Sequence, residues 1–297
     1  MRIQRSGCRA TRRSKFAISH GFHFMSHRER DATPRTAGHM APKVKLGTFG
    51  GALAILFNKG IRFGTVIDVG CAEAYFFARH RYLGMLPGAV PLNIDANPVY
   101  EPVLRQIRDA HGGHYLIGAV GEQEGELTLW EGADPYWTSP HGPGSDYWRR
   151  MAHEPTGSRT VPVTTLDTLA RDLALKPPFL LKLDIQGGEA AALRGAAEVL
   201  TRTDVVVVET ELVDFQATNA ALAANGFDLF DLTEVNRLST DRSLAWFYPV
   251  YLSRRLDHLR ERQLWVGERT PEVVAAQRER HERVRRSIAQ MLGRDPV

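Results

Sequence analysis

Two cysteines, Cys8 and Cys71, occur in a chain of 297 residues, so no disulfide framework and no cysteine-based metal cluster organises it. No apolar run approaches the ~18–20 residues that a membrane-crossing helix needs, and no membrane span is expected. The chain carries no G-x-G-x-x-G and no G-x-x-x-x-G-K-[ST], which counts against dinucleotide and P-loop nucleotide binding. No internal repeat is visible. Basic charge is scarce where a nucleic acid would need it. The net charge is +4, yet residues 1–40 hold a surplus of +7 and residues 253–297 a surplus of +4, which leaves residues 41–252 near −7. An acidic core with basic tails gives no nucleic-acid signal, and no nucleic-acid partner is expected.

What is present is apolar sequence enough, at 43%, for one sizeable core. Residues 1–45 are expected to be a basic, disordered extension, 46–252 the folded domain and 253–297 a charged helical tail. The Arg-rich, acid-poor start has a transit-like flavour, but its stretch 16–25 is broken by Ser, His and Gly, a poor signal-peptide core. A disordered extension, or translation begun upstream of Met25 or Met40, fits better, and the expected compartment is the cytoplasm. In the tail, a helix after Pro271 would set Val284, Ile288, Met291 and Leu292 on one face, suited to docking on the domain or a partner. Nothing in the sequence fixes an oligomeric state.

Apolar patterning predicts a short helix at 52–57 closed by Gly60, then strands at 65–69, 89–94, 114–119, 179–183, 205–209, 227–232 and 245–252. Helices are expected between them at 74–83, 99–110, 166–173, 189–200 and 219–225. Five strands alternating with helices argue for an α/β sheet with right-handed crossovers. The last two strands lie closer together and suit an antiparallel hairpin at one edge. From 121 to 163 the rhythm fails: a hairpin at 126–130 is expected, then a loop rich in Gly, Pro and the aromatics Tyr136, Trp137, Tyr147 and Trp148. Loops of that length in a compact domain are usually functional or disordered.

Three strand ends carry acids. Leu180-Leu181-Lys182-Leu183-Asp184 is an apolar run that ends in an acid, turns on Gly187-Gly188 and enters a helix at Glu189. Strand tips of this kind face the ligand crevice of an open parallel sheet, where an acid serves chemistry or binding. Val66-Ile67-Asp68-Val69-Gly70 feeds the next helix through a turn that permits close backbone approach, a good seat for a carboxylate ligand or merely a structural turn. Asp95, ending the second strand, stands where a ribose diol is usually held; the alternative is a helix cap ahead of Pro98. Asp68, Gly70 and Asp95 on consecutive strands together favour a nucleoside that carries a carboxylate.

These residues, with Thr164-Thr165-Leu166-Asp167 and the run from Leu181 through Asp184-Ile185-Gln186-Gly187-Gly188-Glu189 to Leu193-Arg194-Gly195-Ala196, resemble FkbM-type methyltransferases over roughly residues 50–250. The resemblance implies the class I S-adenosylmethionine fold, a Rossmann-like sheet of seven strands, mostly parallel with an antiparallel last strand and helices on both faces. It also implies methyl transfer to a hydroxyl of a small molecule, sugar or glycan. The cofactor-binding set expected is Asp68, Gly70, Cys71, Ala72, Asp95 and Ala119; the catalytic set is Asp184, Glu209 and Glu189. Two departures stand out: Cys71-Ala72-Glu73-Ala74 replaces the usual Ala-Asn-x-Gly, and Gln186 replaces the Glu of Asp-x-Glu-Gly.

Each residue also has a plainer reading. Asp184 can cap the next turn, Glu189 can answer the helix dipole, and Lys182, on Asp184's face at strand period two, suits an internal ion pair. Glu209 can join Asp184 in holding substrate hydroxyls; no metal is expected, since no His joins them at ligand spacing. His141 and His153 fit loop solvation better than base catalysis, and the loop aromatics can be a lid or ordinary packing. Carboxylates have pKa values near ~4 and cannot ionise an alcohol beforehand, so proton removal must accompany or follow attack on the methyl group. Rival readings are an S-adenosylmethionine-binding module without turnover and, more distantly, a nucleotide-sugar or NAD enzyme.

Overall fold

The computed structural model describes residues 45–74, 88–260 and 270–293. Two units divide the chain, one ending at Asp257 and one starting at His258. In the first, helix α1 (Phe49–Asn58) precedes β1 (Thr65–Val69), β2 (Val90–Asp95), α2 (Glu101–His111) and β3 (His114–Ile117). Then come β4 (Ala119–Val120), β5 (Gly125–Glu131), β6 (Thr138–Ser139), α3 (Asp146–Met151) and β7 (Gly157–Thr164). The rest runs α4 (Leu166–Asp172), β8 (Phe179–Leu183), α5 (Glu189–Arg194), α6 (Ala197–Thr201), β9 (Thr203–Val208), β10 (Thr210–Glu211), α7 (Phe215–Ala224), β11 (Phe227–Thr233) and β12 (Trp246–Ser253). Apart from Ala74, the helix expected at 74–83 lies outside the described residues, as does the extension before Lys45.

The main sheet is laid out β3-β2-β1-β8-β9-β12-β11. Its first five strands are parallel, whereas β12 runs antiparallel to both β9 and β11. Val250 faces Val207 and Phe247 faces Thr210 in one unbroken register, so β10 continues β9 and Glu209 sits at the break. The sheet thus has the seven positions and the antiparallel strand expected, with an eighth strand only because one is interrupted. Every residue of β1 and β8 is buried, the signature of parallel strands covered on both faces. One face packs Ile67, Leu92, Leu181 and Val206 under Leu169, Ala192, Val199 and Leu222 from α4 to α7. On the other, Tyr115 and Cys71 meet Leu104 of α2. Fully burying one such aliphatic side chain stabilises by about 1.5–3 kcal/mol, and truncating Leu181 to Ala would cost about 2–5 kcal/mol.

Two expectations are corrected. The single helix at 189–200 is two helices, α5 and α6, broken at Gly195, where a Cβ would come within 2.0 Å of the Gly121 carbonyl oxygen. Helix and neighbouring turn approach too closely for any other residue. The stretch 121–163 is also no simple hairpin and loop. β5 pairs along its whole length with β7 and only at Trp130 and Glu131 with its local neighbour β6, so that β4-β7-β5-β6 form a second small sheet. Pro162 and the polar start Gly157-Ser158-Arg159-Thr160 hide β7 from an apolar pattern.

In the second unit, α8 (Pro271–Leu292) is capped by the Thr270 hydroxyl and closed by Gly293 at φ +62°. Arg283–Glu279 and Arg286–Glu282 pairs lie one turn apart along it. No helix among the described residues is long and apolar enough to cross a membrane.

Candidate active site

The chain leaves β1 for β2 and β3 on one side of the sheet and for β8 and β9 on the other, so the tips of β1, β2 and β8 flank the point where strand order reverses. Gly70 turns there at φ +69°. A Cβ on it would lie 1.7 Å from the carbonyl oxygen of Asp184, so the turn after β1 packs backbone to backbone against the end of β8. Gly70 and Cys71 donate their N–H groups to the Ile94 carbonyl at 2.9 and 3.1 Å. Ala72 and Ala74 follow at φ +49° and +56°, a left-handed conformation costly for non-glycine residues. The N–H of Ala72 donates to Asp95 Oδ2 at 2.7 Å and that of Asn97 to Asp95 Oδ1 at 2.8 Å. Asp95 therefore spans two turns, while Asn97 caps the following turn of helix through the Val99 N–H. Each carboxylate oxygen of Asp95 keeps a second lone pair.

Below this turn, Asp68 and Lys182 face each other in the β1–β8 register. Lys182 Nζ lies 3.1 Å from Asp68 Oδ1 and 3.3 Å from Asp184 Oδ2, and donates to the Gly70 carbonyl at 3.0 Å. The approach to Asp68 is an ion pair without an aligned hydrogen bond: both Asp68 oxygens lack a hydrogen-bond partner among the described residues. Burial raises the Asp68 carboxyl above its usual range despite the nearby ammonium. Burial works to discharge Lys182, but the carboxylates of Asp184 and Asp68 outweigh it and raise its pKa.

At the tip of β8, Asp184 is held from three sides. Tyr248 donates its hydroxyl to Oδ2 at 2.9 Å, Lys182 lies beside the same oxygen, and Gln186 Nε2 donates to Oδ1 at 3.1 Å. The same Nε2 donates to Glu209 Oε2 at 2.7 Å. Burial, then the negative charge of Asp184, pushes the Glu209 carboxyl well above the ordinary range. Gln186 itself is fixed from the second sheet and its helix: Tyr147 donates its hydroxyl to Oε1 at 3.0 Å, and Ser139 donates Oγ–H to the Gln186 carbonyl at 2.7 Å. Glu189 accepts from the N–H groups of Ile185 and Gly187 at 2.9 and 3.0 Å, stapling the turn, and burial lifts its pKa to about 7.

Asp68, Gly70, Asp184 and Glu209 therefore form one linked cluster, with Ala72 and Asp95 joined to it through the β1 turn. Ala119 begins β4, one residue after Gly118 donates to the Asp95 carbonyl at 2.9 Å. The Cys71 side chain packs with Tyr100, Leu104 and Tyr115, and its thiol donates to the Ala72 carbonyl of the turn at 3.5 Å. His141 stacks on Tyr147 at 5.7 Å, at the edge of the Gln186 network, whereas His153 stacks on Trp137 at 5.1 Å. Tyr248, Tyr147 and Ser139 carried no sequence signal for this site; Tyr147 read as one loop aromatic among four. Tyr136 donates to Glu73 Oε1 at 2.6 Å, tying the aromatic segment to the turn after β1.

This strand order and these acidic tips define the class I methyltransferase fold. The model described as the Methyltransferase FkbM domain matches residues 64–230, more than half of the sequence, and the chain belongs to that family. No curated protein matches the chain. Among solved structures, methyltransferase FkbM from Methylobacillus flagellatus KT is similar at 18% identity and TM-score 0.40, over 64% of this chain and 43% of that one. The chain thus spans less than half the length of that relative. Precorrin-6y C5,15-methyltransferase from Geobacter metallireducens GS-15 is similar at 9% identity and TM-score 0.37, over 73% and 94%. The 16S rRNA (adenine(1408)-N(1))-methyltransferase from Catenulisporales acidiphilia gives 12% identity and TM-score 0.32, over 67% and 89%.

Proposed function

We propose that this chain is an S-adenosylmethionine-dependent O-methyltransferase acting on a hydroxyl of a small molecule, sugar or glycan. The observation that carries the reading is a charge imbalance. Asp68, Asp95, Asp184 and Glu209 gather at neighbouring strand tips around one buried ammonium, Lys182. Four carboxyls thus face one ammonium among the described residues, and such a site favours a cationic ligand such as a sulfonium. The residues also fit the rest of that cofactor. Asp68 carries two buried oxygens and Tyr100 a buried hydroxyl that lack hydrogen-bond partners among the described residues, Lys182 meeting Asp68 Oδ1 only as an ion pair, and the Gly70 turn admits no side chain.

In this reading, Asp95 takes the ribose hydroxyls, Asp68 and the backbone from Gly70 to Ala72 take the amino-acid end, and Ala119 borders the base. When bound, the cofactor supplies an electrophilic methyl group. Asp184 orients the acceptor hydroxyl and receives its proton, while Tyr248, Lys182 and Gln186 keep that carboxylate in place. Positioning of this kind is worth roughly 7–11 kcal/mol, more than the 10²–10⁴-fold (about 3–5 kcal/mol) of a positioned base.

Calorimetric titration with S-adenosylhomocysteine tests the binding half. Asp95→Ala, checked for native circular dichroism, should bind at least about tenfold more weakly, the loss of hydrogen bonds to a charged group. Asp184→Asn should bind normally and lose turnover. Unchanged affinity in Asp95→Ala would sink the ribose assignment. A radiolabelled methyl-transfer screen over hydroxylated small molecules, glycans and an RNA transcript tests the acceptor; label on the RNA would replace the glycan reading. Binding with no turnover in any arm would favour an S-adenosylmethionine-binding module without turnover, with a regulatory or interaction role.

A further inference from the structure

We propose that Gln186 is a positioning residue that takes the place of a divalent cation, its amide bridging Asp184 and Glu209 so that the two carboxyls work as a pair without metal. The inference rests on the methyl-transfer reading only in taking that pair as the working site. Its basis is local geometry. Free lone pairs of Asp184 Oδ1 and Glu209 Oε2 converge on one atom, Gln186 Nε2, at 3.1 and 2.7 Å. The other Asp184 oxygen is already engaged by Tyr248 at 2.9 Å and Lys182 at 3.3 Å. Lys182 is shared with Asp68 and is the one cation that acts on Glu209 among the described residues.

Every polar group of the Gln186 side chain has a defined task, because Tyr147 donates to Oε1 and so orients Nε2 toward the acids. The backbone is held equally firmly: Gln186 sits at φ +54°, with its carbonyl bonded to Ser139 Oγ at 2.7 Å. A residue kept in a left-handed conformation by contacts from a separate sheet is placed, not merely tolerated. Among the described residues, no group of three or more His, Cys, Asp and Glu is arranged to hold a metal. The amide turns N–H donors toward the two carboxyls and gives its oxygen to Tyr147, so the trio lacks the third oxygen that a hard divalent ion would take there.

Gln186→Glu would supply that ligand with almost no change of shape. Manganese chloride alone, followed by electron paramagnetic resonance and calorimetry at pH 7.5, provides the test. Native chain should show no saturable Mn²⁺ binding, and Gln186→Glu should bind one ion per chain, tighter by at least about tenfold. The Gln186→Glu/Glu209→Gln double variant restores one amide to the trio and should lose the ion again. Native chain binding Mn²⁺ as tightly as Gln186→Glu would overturn the proposal. So would a folded Gln186→Glu chain that binds none.

If Gln186→Glu does not fold, Gln186→Met serves. Without the bridging amide, and with Asp184, Glu189, Lys182, Tyr147 and Tyr248 still facing Glu209, its unfolding midpoint should fall more steeply from pH 5 to 8 than that of native chain. Parallel slopes would overturn the proposal as well. Titration of native chain with S-adenosylhomocysteine separates the two readings: failure there would sink methyl transfer while leaving the Mn²⁺ comparison intact.

Discussion

Lys182 places its ammonium 3.1 Å from Asp68 Oδ1, directly across two adjacent parallel strands. Both side chains are buried to within a few per cent, and the same ammonium reaches Asp184 at 3.3 Å. One lysine therefore joins the acid of the β1 turn to the acid of the β8 tip. Under the proposed function, the acid assigned to binding and the acid assigned to chemistry share this counter-charge.

Lys182→Met should accordingly do more than remove a contact. It leaves the buried Asp68 and the partly exposed Asp184 without their cation, and breaking the buried Lys182–Asp68 pair in this way costs about 3–5 kcal/mol. For a domain of this size each kcal/mol lowers the thermal midpoint by about 2–4 °C, so a drop of roughly 6–20 °C is expected at pH 7.5. Calorimetric unfolding measures it. A midpoint within about 2 °C of native would mean that water reaches these acids freely.

Cys71 is expected to be silent in binding. Its thiol is buried, and burial pushes its pKa well above the usual range, so the side chain is neither exposed nor nucleophilic. Cys71→Ala should keep its affinity for S-adenosylhomocysteine within about twofold, less than 0.5 kcal/mol. A thiol reagent should label Cys71 only when the chain unfolds. Rapid labelling of folded protein would show that the turn opens.

How far the sequence carried varies with the kind of signal. The tips at Asp68, Asp95 and Asp184 were legible because each acid closes a mostly apolar parallel strand, although a cap or a structural turn was a rival reading for each. The α/β class followed from the alternation of strands and helices, whereas the strand order came only with the structure. The partners of Asp184 were not legible. Tyr248 lies within β12, where an aromatic reads as strand packing, and only antiparallel docking on β9 brings its hydroxyl to β8. Tyr147 and Ser139 belong to the second sheet and its helix, whose polar, Pro-containing strand β7 leaves no period to follow. Gln186 showed as a departure from the family pattern, but its two-carboxyl bridge depends on Glu209, more than 20 residues away in sequence.

Glu189 should give the fold a distinct pH dependence. Its folded pKa of about 7 stands above the ordinary ~4.3, with burial as the main cause. A group whose folded pKa is raised contributes stability that is complete below the unfolded value and is lost as pH rises through the folded one. The chain should therefore lose up to about 3 kcal/mol between roughly pH 4.5 and 7 on this account. Glu189→Gln gives up one of two backbone hydrogen bonds, about 1 kcal/mol at all pH values, but should flatten that slope. Urea unfolding at closely spaced pH values compares the two; equal slopes would remove Glu189 as the cause.

Tyr248 and Tyr147 both steady the acid pair, yet through different bonds. Tyr248 donates to the Asp184 carboxyl at 2.9 Å, whereas Tyr147 donates to the neutral Gln186 amide oxygen at 3.0 Å. Hydrogen bonds to charged groups contribute about 1.5–3 kcal/mol and neutral ones about 0.5–1.5 kcal/mol. Tyr248→Phe should thus be the more destabilising change, by about 1 kcal/mol or more over Tyr147→Phe in urea titrations at pH 7.5. The reverse order at pH 7.5 would place the charge of the pair on the Gln186 side, and with it the working carboxylate on Glu209 rather than Asp184.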